Sequence, residues 1–199
     1  MIYGRVALCL FLNAPNLIKN SLEKSSEEGF SFFLAYSLQG LEGKWLRKMR
    51  KFLAYFIPVV LTFAVGALGS YIQGDALREW YPYLVKSPAT PPSIVFPIAW
   101  AILYLLIGIS AGTMVVRGDM SLMRLWLFQL LLNFLWSVCF FALRSPMAGL
   151  LVILTLLVSV FAYIVYAASR RPAAAWLFVP YLLWLIFATY LNGYIYINN

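Results

Sequence analysis

Long stretches without a single charged side chain dominate this sequence from residue 52 onward. They run 52–74, 87–116, 125–143, 145–169 and 172–199, each near or above the ~20 residues an α-helix needs to cross a hydrocarbon core. Of the 22 charged residues, twelve fall within the first 51, so the remaining 148 positions carry ten. A charged content of 11% beside 63% hydrophobic residues sets the chain apart from water-soluble domains, where about 25% of residues are charged. Runs such as Leu150 to Val160 show neither the apolar/polar alternation nor the turn signals of a membrane β-barrel. The fold class is therefore an all-α membrane protein, a five-transmembrane-helix bundle. Its later connections, Arg117 to Ser121, Arg144 to Pro146 and Ser169 to Pro172, are short enough to make consecutive helices antiparallel neighbours.

Residues 1–48 read differently. Ile2 to Leu12 is apolar but too short to span, and Ser21 to Gly29 and Leu41 to Lys48 mix charges without a sustained period. We expect 1–48 to be an N-terminal extension, disordered or arising from start-site choice, with residues 49–199 forming the membrane domain. Met49-Arg50-Lys51 ahead of the first span has the look of a membrane-protein start.

Basic residues set the orientation. Arg47, Lys48, Arg50, Lys51, Arg117, Arg124, Arg170 and Arg171 lie on one side, against Arg78, Lys86 and Arg144 on the other, which places the N-terminus in the cytoplasm. The same distribution explains the net charge of +8 as a topology signal, so no nucleic-acid partner is expected.

Composition also removes chemistry. Histidine is absent and no Asp or Glu follows Asp119, which leaves little for general acid–base catalysis or a histidine-bound metal, and no metal site is expected. Cys9 and Cys139 form neither a disulfide framework nor a CxxC motif. No ionisable residue occurs at mid-depth of the second, fourth or fifth span, which argues against classical ion-coupled transport.

What the spans do carry is aromatic and amide-bearing. Phe96, Trp100, Tyr104 and Gly108 recur every four residues along one face of the second span, and Gln129, Asn133, Trp136 and Phe140, at i, i+4, i+7 and i+11, share a face of the third. Trp176, Pro180, Trp184, Ala188 and Asn192 mark a face of the fifth, with small Ala188 leaving room for something flat. The connection Gly74 to Pro92 carries Trp80-Tyr81, Lys86 and Pro91-Pro92, the last pair suited to the start of the next helix. Two amides at membrane depth need partners and should point into the bundle. These patterns equally suit interfacial aromatic belts and inter-helix hydrogen bonds. Gly108-x-x-x-Gly112 fits either helix packing or a dimer face, and Pro58 and Pro180 mark expected kinks.

Taken in order, Trp80-Tyr81 through Lys86, Pro91-Pro92 with Phe96, Trp100 and Tyr104, Gln129 to Asn133 with Trp136 and Phe140-Phe141, and Pro180-Tyr181, Trp184, Phe187-Ala188 and Leu191-Asn192 resemble the TspO/translocator-protein family, also called tryptophan-rich sensory proteins or peripheral-type benzodiazepine receptors. The resemblance covers about Met49 to Asn199. It implies a five-helix membrane protein, often a homodimer, that binds a tetrapyrrole such as protoporphyrin IX or haem and, in some members, sterols and synthetic benzodiazepine-type ligands. By motif, the ligand would be lined by Trp80, Tyr81, Pro91, Trp100, Tyr104, Asn133, Trp136, Trp184 and Ala188, in a cleft beneath the first loop. No cofactor is required; porphyrin or haem enters as ligand, and without histidine a metal-free porphyrin is the easier guest.

The chain departs from the pattern in two places. It reads Pro88-Ala89-Thr90-Pro91-Pro92 where the family often has a Trp two residues before the Pro-Pro pair. No Lys or Arg follows Leu191 to Tyr196, as the sterol-recognition motif of animal members requires. The resemblance thus implies a tetrapyrrole-binding sensor or translocator. The alternatives are a light-dependent porphyrin-degrading enzyme, with Trp100 and Trp184 taking part in radical chemistry, or a passive scaffold or small-solute translocator. The expected location is a bacterial cell membrane, with the outer membrane or the mitochondrial outer membrane as alternatives. The topology is directly testable. In Asn198→Cys on a Cys9→Ser/Cys139→Ser background, a membrane-impermeant thiol reagent should label intact cells from outside; labelling only after lysis reverses the orientation.

Overall fold

The computed structural model describes residues 43–199; residues 1–42, and with them most of the expected N-terminal extension, lie outside the described residues. The chain divides into two compact units, Met1–Arg50 and Lys51–Asn199. The described part of the first is helical, with Arg47 Nε donating to the Gly43 carbonyl at 3.0 Å.

Five helices are long and apolar enough to cross a membrane: α1 (Gly43–Glu79), α2 (Val95–Arg117), α3 (Met120–Ser137), α4 (Pro146–Arg170) and α5 (Pro172–Asn198). A π-helical turn, Val138–Ala142, extends α3, and a 3-10 turn, Tyr81–Tyr83, follows α1. No strand occurs among the described residues. The all-α, five-span reading of the sequence holds.

Charge-free runs do not coincide with helices, and the differences have local causes. α1 continues past Gly74 to Glu79, and Asp75 and Arg78 pair across this last turn at 2.7 Å. α2 starts at Val95, eight residues later than the charge-free run that begins at 87. Pro91 and Pro92 hold the preceding residues in extended conformations, and the Val95 N–H then closes the first turn on the Pro92 carbonyl at 2.9 Å. Asp119 caps α3 through its carboxylate on the Leu122 N–H, so this helix takes in Arg124. Ser145 caps α4 in the same way, with Pro146 at its first position. Between α2 and α3 the chain turns at Gly118 with φ 72°, the left-handed conformation that favours glycine.

In cross-section the helices close a ring in the order α1, α2, α5, α4, α3, with α2 and α3 also touching. α1 meets α2 at glycines. A Cβ on Gly108 would stand 2.5 Å from the Val59 Cα, one on Gly112 would enter the Tyr55 ring, and one on Gly66 would enter the Tyr104 ring. The Gly108-x-x-x-Gly112 stripe is therefore spent on internal packing. Pro58 and Pro180 both sit within helices.

Polar cross-links join the same helices. Thr62 Oγ1 donates to the Tyr104 carbonyl at 2.9 Å and so ties α1 to α2. Gln73 Nε2 donates to Ser137 Oγ at 2.9 Å, and Trp126 Nε1 donates to the Ile107 carbonyl at 3.0 Å. Ser110 joins Tyr163 at 2.8 Å and the Ala174 carbonyl at 3.1 Å, which draws α2, α4 and α5 together.

Two glycine substitutions of opposite sign check this packing. Gly108→Ala forces α1 and α2 apart at backbone and should cost about 1–3 kcal/mol, seen as a lower melting temperature in detergent. Gly74→Ala meets nothing within 4 Å and should be neutral or stabilising by up to ~1 kcal/mol, because alanine is the better helix former.

Candidate functional site

The amide of Asn133 organises the centre of the bundle. It sits on α3, 4% exposed. Its Oδ1 accepts from the Tyr104 hydroxyl of α2 at 3.3 Å, and its Nδ2 donates to the Tyr181 hydroxyl of α5 at 3.0 Å. Three helices are thereby tied at one level, and a side chain that would be costly alone in hydrocarbon is satisfied on both its polar atoms.

Around that amide lies a set of aromatic rings. Trp100 stacks on Tyr104 with centroids 5.2 Å apart, and meets Tyr181 at 6.2 Å and Trp184 at 6.5 Å edge-to-face. Phe96 packs edge-on against Trp184 at 6.0 Å. Trp100, Tyr104 and Trp184 are half-buried, so each keeps uncovered ring surface. The indole Nε1 of Trp184 is itself buried and has no acceptor.

A second aromatic set lies under the loop between α1 and α2. Trp136 stacks on Phe140 at 5.5 Å, Trp80 packs edge-on against Phe140 at 5.6 Å, and Tyr81 rests on Phe141 at 5.8 Å. The π-helical turn makes this possible by bringing the successive residues Phe140 and Phe141 into one cluster with Ile195 of α5. Trp136 borders both sets, and its Nε1 donates to Asn192 Oδ1 at 3.1 Å. Asn192 in turn donates to the Pro146 carbonyl at 2.8 Å.

Seven of the nine residues singled out in the sequence fall into two groups. Trp100, Tyr104, Asn133 and Trp184 come together in the first, while Trp80, Tyr81 and Trp136 come together in the second. Ala188 packs half-buried against the main core, and Pro91 stands half-buried in the loop. Tyr181 and Asn192 stand outside the site residues that the sequence indicates, although each satisfies one of them. The available signal was that Asn133 and Trp136 needed partners, but nothing in the sequence says from which helix. Among the described residues no group of His, Cys, Asp and Glu is arranged to hold a metal.

The loop is fastened to the end of α5. Asn199 Oδ1 accepts from the Val85 N–H at 2.9 Å, and Asn199 Nδ2 donates to the Val85 carbonyl at 3.2 Å, so one side-chain amide grips both polar atoms of one residue. Ser87 Oγ shares a hydrogen bond with the Tyr190 hydroxyl at 2.9 Å. Lys86 donates to the Pro82 and Leu84 carbonyls and lies 5.0 Å above the Tyr81 ring. Burial pushes the Tyr81 phenol above its ordinary range, so it remains neutral.

The model of the TspO/MBR family matches residues 58–197. The chain belongs to that family. It is 38% identical over 144 residues to the tryptophan-rich protein TspO of Archaeoglobus fulgidus, covering 71% of this chain and 94% of that protein. It is 33% identical over 135 residues to a tryptophan-rich sensory protein of Cereibacter sphaeroides, covering 66% and 85%. The translocator protein of Ovis aries is 34% identical over 145 residues, covering 67% of this chain and 83% of the relative. As a TspO/MBR member with five spanning helices, the chain is an integral, multi-pass membrane protein of the TspO sensor/translocator type.

In this TspO-type chain the latch gives a measurable expectation. Asn199→Ala removes both bonds to Val85, and hydrogen–deuterium exchange should speed up across residues 83–90 while exchange in α2 and α4 stays as in the unaltered protein. Unchanged exchange in the loop would mean that Trp80, Tyr81 and the Ser87–Tyr190 hydrogen bond hold it down without Asn199.

Proposed function

We propose that this TspO/MBR member binds a tetrapyrrole against the Trp100, Tyr104 and Trp184 rings, as a membrane sensor or translocator. The observation that carries the reading is Trp184: its ring is only half-buried, beside two other half-buried rings, while its indole N–H is buried without an acceptor. A flat, conjugated guest with nitrogen or oxygen acceptors stacks on the rings, and a turn of the indole would bring its unpaired N–H to such an acceptor. Lys86, in the loop above, carries a positive charge suited to a guest with carboxylates. Several relatives bear the name tryptophan-rich protein or sensory protein, in keeping with a function carried by indoles.

A second reading is favoured by one distance. Trp100 and Trp184 are edge-to-face at 6.5 Å, close enough for the pair to share an oxidising equivalent if a bound porphyrin is excited by light in the presence of oxygen. The protein would then degrade the porphyrin it binds.

Quenching of tryptophan fluorescence by protoporphyrin IX in the dark tests the first reading. Saturable quenching is expected, with affinity reduced about tenfold or more, ~1.4 kcal/mol or greater, in Trp184→Phe. Asn133→Leu, checked for helicity because it also unties Tyr104 and Tyr181, should weaken binding too. Unsaturable quenching, equal in all three proteins, means that the porphyrin partitions into detergent and removes the proposal. Illumination then separates the readings: a bilin-like product that disappears in the Trp100→Phe/Trp184→Phe double variant supports degradation, and equal bleaching in both proteins rejects it.

A further inference from the structure

The first turns of α1 carry the densest positive charge of the chain. Residues 44–51 hold five cations, Lys44, Arg47, Lys48, Arg50 and Lys51, and no Asp or Glu occurs between Glu42 and Asp75. Every residue from 44 to 53 is exposed. The charge-free run that follows, 52–74, is already long enough to cross a hydrocarbon core of ~30 Å, and a charged side chain inside that core is costly. Residues 44–51, about 12 Å of helix at ~1.5 Å per residue, therefore stand at the level of the lipid headgroups.

The helix sorts this stretch onto two faces. Trp45, Leu46 and Met49 are three and four residues apart and share one face, which continues through Phe52, Leu53 and Phe56 into the span. Trp45 is 60% exposed, Leu46 56% and Met49 41%, while Phe52 and Phe56 stack with centroids 5.3 Å apart. Lys44, Arg47, Lys48 and Lys51 have the same spacing on the opposite face, and Arg50 flanks them. A topology signal needs only a number of Lys and Arg near a span. It does not require cations and apolar side chains to be sorted to opposite sides of a helix, which is the arrangement of a helix seated in a charged membrane interface.

We propose that residues 44–51 are a docking surface for anionic phospholipid headgroups and gather acidic lipid around the start of α1. The apolar stripe is continuous with the exposed apolar surface of the span, so it meets acyl chains, and the Lys and Arg stems can extend from it to the phosphates. A zwitterionic headgroup offers five cations no net charge to neutralise, whereas a net negative one does. Clusters of roughly four to eight Lys and Arg beside a span are attracted to acidic lipid in this way, and the attraction weakens with salt. An acidic protein would answer the charge but not the apolar stripe, which runs on into hydrocarbon. The inference is independent of what the aromatic site binds.

The test uses the full chain with a fluorophore on Gly43→Cys, in a Cys9→Ser/Cys139→Ser background; a Cβ at residue 43 meets nothing within 4 Å. The protein is reconstituted in liposomes of phosphatidylcholine and phosphatidylglycerol, with one of two quenchers that differ only in headgroup, doxyl-labelled phosphatidylglycerol or doxyl-labelled phosphatidylcholine. Both leaflets have the same lipids, so the ratio of the two quenching constants does not depend on the direction of insertion. At about 0.05 M salt the phosphatidylglycerol probe should quench about twofold or more better, and the ratio should fall toward one at about 0.5 M salt. It should fall equally in Lys44→Gln/Arg47→Gln/Lys48→Gln/Arg50→Gln, and part of the way in Lys44→Gln/Lys48→Gln, which serves if the fourfold variant does not fold. A ratio of one in the unaltered segment at low salt means that the cations are answered otherwise, as by Glu23, Glu27, Glu28 and Glu42 of the preceding chain, and overturns the proposal. A preference that survives both salt and the substitutions overturns it as well.

Discussion

Inside a bilayer no water is at hand to satisfy a side-chain amide, and the arrangement of this bundle follows from how α3 answers that requirement. Asn133 reaches α2 through Tyr104 and α5 through Tyr181. Ser137 receives Gln73 from α1, and Trp136 finds Asn192 on α5, which itself bonds the start of α4. Every other helix is therefore held to α3 directly or through one intermediate group. Hydrogen bonds between membrane helices contribute only about 0.6–2 kcal/mol each. Their importance lies in direction: they fix the rotation and depth of each helix, which apolar contacts alone leave loose.

Close packing supplies what the hydrogen bonds do not. Gly66, Gly108 and Gly112 let α1 and α2 approach until backbone meets backbone or a ring covers a missing Cβ. One result is the placement of Tyr104, whose ring lies over Gly66 while its hydroxyl reaches Asn133 and its outer face stacks on Trp100. The same tyrosine is thus a packing element, a hydrogen-bond donor and part of the aromatic site. Structural and functional demands on these residues cannot be separated by inspecting composition, which explains why an aromatic face in the sequence reads equally well as core or as binding surface.

The loop between α1 and α2 closes over the second aromatic set. Its Trp80 and Tyr81 settle on Phe140 and Phe141, which a π-helical turn presents together, and its Val85 and Ser87 are held by Asn199 and Tyr190 at the far end of α5. The apolar seat and the polar latch come from different helices, α3 and α5. Whatever shifts those two helices relative to each other moves the loop as well.

The sequence by itself determined five spanning helices and the aromatic and amide character of their inner faces, because the cost of charge in hydrocarbon and the 3.6-residue period both act locally along the chain. It also carried the family resemblance in its ordered motifs. It did not determine that helix α2 would wait until Val95, since the effect of Pro91-Pro92 depends on which carbonyl the first free N–H finds. Nor did it show that Trp80, Tyr81 and Trp136 would gather apart from Trp100, Tyr104 and Trp184, that Tyr181 and Asn192 would be the partners of Asn133 and Trp136, or that Gln129 would remain without one. Those outcomes depend on the rotation and depth at which separate helices meet, and a residue's partner across such a contact lies 29 to 56 positions away along the chain. Only the tertiary structure brings such residues within hydrogen-bond distance.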